Sequence, residues 1–184
     1  MSNLKVISPA ENRLLVNLNK VKIELDIEED EILYQLIERA SRMIEDYTHR
    51  IFVKQGYQET LNNINKDKII LSQIPVISIE TILMDEDILL SYDKFDAESG
   101  IVYLDNWWGS FYIMPVNKII IEYTAGYEEI PGEIENACIE LVKDMYANRN
   151  SSVRVDSEHI GSYSVSYGST SILDKLIPHW RKIF

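Results

Sequence analysis

Residues 118–149 carry the clearest alternation of apolar and polar positions in the chain. Ile119, Ile121 and Tyr123 alternate with Ile120, Glu122 and Thr124, the period of two expected of a strand with one buried face. Gly126 supplies a residue without a Cβ where the chain must turn, and the fixed φ and missing N–H of Pro131 suit a first helical turn. Ile134, Cys138, Leu141 and Met145 then follow at steps of four, three and four, with Ala137 and Val142 widening the stripe. Glu133, Glu135, Glu140, Lys143 and Asp144 occupy the other side, so the spacing predicts an amphipathic helix.

Upstream, residues 1–18 hold a capping-box arrangement at Ser8, Pro9 and Glu11 but little periodicity, and read as an irregular arm with at most one helical turn. Leu18, Val21 and Leu25 predict a short helix. Five acids among residues 26–31 precede a longer one over about 30–47, with Leu33, Leu36, Ile37, Ala40, Met43, Ile44 and Tyr47 as its apolar face. From Phe52 the period shortens to that of strands, at Thr60 and in 69–71, 77–83, 88–92, 101–104, 111–114 and 118–124. Residues 96–100 and 106–110 read as hairpin loops, which makes most strands antiparallel. The expected class is α+β: a small helical bundle of two long helices plus shorter N- and C-terminal ones, with an inserted antiparallel sheet or barrel of about five to seven strands.

The expected organisation is an arm and helices in residues 1–51, the inserted β region in 52–127, a helix completing the bundle in 128–150, and a linker with a tail in 151–184. In the last segment Tyr163, Val165 and Tyr167 alternate with Ser164 and Ser166 as in an edge strand. Ile172, Leu173, Leu176, Ile177, Trp180, Ile183 and Phe184 then approach a helical face that Pro178 should break or kink. Lys175, Arg181 and Lys182 make this tail basic on an acidic chain.

A chain of 184 residues that is 46% apolar can bury a core. Its net charge of −12 argues against a protein that grips the phosphate backbone. The one cysteine, Cys138, lies on an apolar stripe, which leaves no disulfide framework and suits a small buried hydrophobe. No apolar run approaches the ~20 residues of a membrane span, and the N-terminus shows no signal-peptide pattern, so no membrane role is expected. The glycine-rich phosphate loops, the dinucleotide fingerprint and the serine-elbow motif do not occur, and His49, His159 and His179 lie far apart without ligand spacing. No cofactor, metal or catalytic residue is expected. One enzymatic or sugar-binding reading is open: a small β-domain hydrolase or carbohydrate-binding module using acids among Asp85, Asp87, Asp93 and Asp96 with Trp107 and Trp108, provided a concave pocket joins them.

Two motifs carry a resemblance. The first is Ile-Glu-Tyr-Thr-Ala-Gly-Tyr at 121–127, a short acidic link, Ile130-Pro131, and a helix bearing Ala137, Leu141, Tyr146 and Arg149. The second runs from Leu18 through the acids at 26–30 into a helix with Leu36, Ile37, Ala40, Ile44, Glu45, Tyr47 and Thr48. Together, in this order, they resemble the head-tail connector (adaptor) proteins of tailed phages, prophages and gene transfer agents. The resemblance implies a non-enzymatic virion protein with a role in DNA packaging, made in the host cytoplasm and assembled as a homo-oligomeric ring of about twelve copies, a dodecamer. It implies a portal protein ring on one side, a stopper or tail-completion protein on the other, and DNA passing through without specific binding. It further implies that the C-terminal segment docks on the portal, which here designates Tyr163, Val165, Tyr167, Leu173, Leu176, Ile177, Trp180, Arg181, Ile183 and Phe184.

Overall fold

A computed structural model of the chain describes residues 3–28, 30–64, 68–85, 88–104, 116–149, 157–160, 163–166, 173–174 and 180. The elements in chain order are β1 (Asn3–Ser8), α1 (Leu18–Leu25), α2 (Asp30–Thr48), β2 (Gln55–Ile64), β3 (Lys68–Ile70), β4 (Val76–Met84), β5 (Ile88–Leu89), β6 (Tyr92–Asp96), β7 (Ile101–Leu104), β8 (Val116–Ala125), α3 (Gly132–Ala147), β9 (Ser157–Ile160) and β10 (Tyr163–Ser166). The class is α+β, and the described sheets are antiparallel. Two compact units result, one from Met1–Glu11 with Val53–Glu128, the other from Asn12–Phe52 with Glu129–Phe184.

The first unit is built on β8. Its inward row, Ile119, Ile121, Tyr123 and Ala125, is fully buried, as the alternation predicts. β8 lies at the centre of a five-stranded sheet of order β1-β2-β8-β4-β5, and a second sheet of order β3-β7-β6 contributes Ile69 and Val102 to the same core. The single small sheet or barrel expected from the strand spacing is therefore two sheets. Gly126 follows β8 at φ 112°, and an added Cβ would lie 2.7 Å from the Val53 carbonyl oxygen. The turn admits no side chain.

The irregular arm expected at the N-terminus is instead an edge strand. Leu4 pairs with Glu59 and Val6 with Tyr57. The strand is hard to read because only Leu4 is partly covered, so side-chain periodicity is almost absent and the backbone ladder supplies the stabilisation. Opposite it, β2 carries a fully buried carboxylate, Glu59. Tyr123 Oη donates to it at 2.9 Å, the Ser72 N–H at 2.9 Å, and the Ser72 hydroxyl completes the set. The Gln73 N–H donates to Tyr123 Oη at 3.2 Å, so this network ties residues 72–73 to the sheet. Burial and the neighbouring carboxylate hold the Tyr123 hydroxyl well above the usual phenol range.

In the second unit, Asn17 caps α1 by accepting from the Asn19 N–H, and Val21 is its buried residue. On α2 the buried stripe is Leu33, Ile37, Ala40 and Ile44 with Ser41, Glu45 and Thr48, whereas Leu36, Met43 and Tyr47 are only half-buried. The stripe is rotated from the one the apolar residues predict because its polar members find partners. Ser41 Oγ accepts the Leu15 N–H at 3.1 Å, and Thr48 Oγ1 donates to the Ile44 carbonyl at 2.7 Å. On α3, Ile134, Ala137, Cys138, Ile139, Leu141 and Val142 are buried. Burial pushes the Cys138 thiol up to about 12, the behaviour of a packing residue.

Candidate docking site

The last described stretches belong to the C-terminal segment singled out above. β9 and β10 form an antiparallel pair in which Ile160 faces Tyr163 and Glu158 faces Val165. Residues 157–160, expected as part of a linker, are thus the first strand of this pair. Beyond it, Leu173 is 2% exposed and joins the core of the helical unit. The neighbouring Asp174 accepts a hydrogen bond from Tyr47 Oη at 2.6 Å, which ties the segment to the end of α2.

Trp180 is seated by three groups drawn from distant parts of the sequence. Its indole Nε1–H donates to Glu133 Oε2 at 2.8 Å, in the first turn of α3. Its ring meets the buried Phe52 ring edge-on, with centroids 5.7 Å apart at 60°. The Arg50 guanidinium stands 5.9 Å from the indole centroid, within reach of a cation–π contact. The indole stays half-buried, so part of it faces solvent.

The floor of this seat is set where α2 stops. His49 takes a left-handed conformation, φ 54°, and the Arg50 N–H returns to the Glu45 carbonyl at 3.3 Å. The Glu45 side chain is buried and pairs with Arg13. Burial, only partly offset by Arg13, raises its carboxyl above the usual range. Glu45 Oε1 and Arg50 Nε are buried without a hydrogen-bond partner among the described residues.

Of the residues assigned to docking, the structure brings Leu173 and Trp180 onto one helical unit and puts Tyr163 and Val165 on one strand. Tyr167, Leu176, Ile177, Arg181, Ile183 and Phe184 lie outside the described residues, as does Pro178. The contacts by which Phe52, Arg50, Tyr47 and Glu133 hold the tail are not legible in the sequence. These residues are separated from the tail by 47 residues or more, and no local spacing links them.

Two acids of the hydrolase or sugar-binding reading, Asp85 and Asp96, are engaged by backbone N–H groups. Asp85 Oδ1 accepts the Lys118 N–H at 3.1 Å, and Asp96 Oδ1 accepts the Glu98 and Ser99 N–H groups at 3.1 and 3.3 Å. Asp96 is held below the usual range by its hydrogen bonds from Ser99. Asp93 is exposed on β6, while Asp87, Trp107 and Trp108 lie outside the described residues. Among the described residues no group of His, Cys, Asp and Glu is arranged to hold a metal, and no helix is long and apolar enough to cross a membrane. A groove of about 390 Å³ lined by Asn12, Leu15, Leu18, Tyr34, Ile130 and Glu135 contains none of these acids.

The fold is similar to three solved chains of low identity. One is described as the neck of an empty gene transfer agent particle computed with C6 symmetry: TM-score 0.66, 16% identity, 99% of this chain and 96% of that one covered. A second, the neck of the native particle computed with C12 symmetry, gives a TM-score of 0.65 at 15% identity over 99% and 96%. The third, from the virion of the native particle, gives 0.63 at 15% over 98% and 96%. No curated protein matches the chain. The sequence profile named head completion protein matches residues 18–183. That span takes in both sequence motifs, nearly all of the helical unit and the Val53–Glu128 part of the sheet unit, and the chain belongs to the head completion protein family.

Proposed function

We propose that the chain is a structural head-tail connector (adaptor) of a tailed phage or prophage particle, assembled as a ring beneath the portal. The observation that carries this reading is the family match over residues 18–183, supported by a fold shared along 96% of a gene transfer agent neck chain. The C6 and C12 symmetries of those neck particles support a ring of identical subunits. In this role the protein extends the DNA channel, works in the virion after assembly in the host cytoplasm, and receives a stopper or tail-completion protein on the side away from the portal. A net charge of −12 suits a wall past which DNA moves without being held. The work is mechanical, with no catalytic group.

The portal-docking surface in this reading is the C-terminal segment: Tyr163, Val165, Tyr167, Leu173, Leu176, Ile177, Trp180, Arg181, Ile183 and Phe184. Leu173 and Trp180 anchor the segment on its own helical unit, which lowers the ordering cost of docking it. Each large apolar side chain buried on the portal contributes about 1.5–3 kcal/mol. Deleting residues 171–184 is expected to abolish assembly on portal rings. Because Leu173 is a core residue, deletion of residues 181–184 alone is the cleaner variant: it should fold, keep the Trp180 seat, and bind portal rings much more weakly. Undiminished assembly by that shorter variant, seen by co-sedimentation, would overturn the docking assignment.

A further inference from the structure

The sheet of order β3-β7-β6 turns Ile69 and Val102 into the core, so the alternate residues of each strand form its outer face. Register sets these residues in two rows. Lys68, Tyr103 and Lys94 lie side by side, and next to them Ile70, Ile101 and Asp96. Both lysine ammonium groups approach the Tyr103 ring, at 6.0 and 5.3 Å from its centroid. Neither lysine has an ion-pair partner among the described residues, and Asp96 spends its carboxylate on backbone N–H groups of its own turn. Ile70 is 64% exposed. This face is basic, aromatic and apolar on a chain whose net charge is −12.

Its chemical complement lies in the other unit. Ile23 is 84% exposed on α1, beside Glu24 and followed by Asp26 and Glu28, all exposed. The nearby cations are already engaged: Lys20 with Glu135 at 2.6 Å, and Lys22 with Asp30. We propose that the Lys68–Tyr103–Lys94 face with Ile70 is a contact surface for a second copy of this chain, receiving its acidic, Ile23-bearing edge. The two surfaces differ, so the contact is head-to-tail and propagates from copy to copy, as a ring requires. This inference rests on the ring assembly proposed above. Nucleic acid is the poorer partner, because two lysines on an acidic chain offer little to a polyanion while an exposed isoleucine offers it nothing.

The test uses the full-length chain. Ile70→Cys and Ile23→Cys variants are mixed at high concentration, on the portal ring if needed, and oxidised; Cys138, being buried, adds no background. The expected result is a disulfide between the two introduced thiols on different copies. Lys68→Glu with Lys94→Glu, folded by circular dichroism, should remove that link and weaken self-association about tenfold or more. Glu24→Lys with Glu28→Lys in the neighbouring copy should restore it. Self-association that survives the lysine reversals without the link overturns this surface and leaves the ring reading standing. A chain that stays monomeric in every form, with or without portal, overturns both. Salt-sensitive binding of duplex DNA that the lysine reversals abolish would reassign the face to nucleic acid.

Discussion

Glu45 is a carboxylate whose charge the fold penalises. Burial is the main cause, Arg13 opposes it, and Asp46 adds to it, leaving the carboxyl raised. An acid whose pKa is higher folded than unfolded binds its proton more readily in the native state. Its contribution to stability is therefore fully present below the unfolded carboxylate pKa and is lost as pH rises through the folded one. Glu45→Gln cannot titrate, so its melting temperature relative to wild type should be more favourable at about pH 7.5 than at about pH 5. A relative melting temperature that falls with rising pH would contradict this. Glu59 is a different kind of buried acid, because three donors satisfy it. Glu59→Ala removes the buried acceptor of three hydrogen bonds and should cost roughly 3 kcal/mol in denaturant unfolding, with Glu59→Gln costing less because one acceptor oxygen survives.

At the scale of elements, what the sequence discloses depends on how each element is stabilised. β8 and α3 are stabilised by burying one face, so Ile119, Ile121, Tyr123, Ile134, Cys138 and Leu141 announce them by spacing alone. β1 is stabilised by pairing with β2 while five of its six residues remain exposed, and a period-based reading has nothing to detect. α2 falls between: its existence and register follow from Leu33, Ile37, Ala40 and Ile44, but its true facing includes Ser41 and Thr48, which are hydrogen-bonded, and Glu45, which pairs with Arg13 through one oxygen. The Trp180 seat is a fourth case, joining residues 50, 52, 133 and 180, and only the fold brings these together. If β1 is an integral strand, deleting residues 1–8 should expose the β2 ladder, lower the melting temperature and promote aggregation. An unchanged melting curve would show that the strand adds nothing.

At the scale of the whole molecule, two units and a C-terminal segment divide the proposed work. The sheet unit offers a basic-aromatic face on Lys68, Tyr103 and Lys94, the helical unit an acidic edge at Ile23 to Glu28, and the C-terminal segment is seated through Trp180. Copies joined through the first two would place every tail on the same side of the assembly, since a head-to-tail contact repeats one geometry around the ring. If this chain is a connector that closes on a portal, the light-scattering mass of the purified full-length chain mixed with the portal ring of the same genome will show it. Comigration at the portal mass plus a fixed ring of copies is expected. A chain that elutes separately as a monomer, leaving the portal mass unchanged, would contradict it.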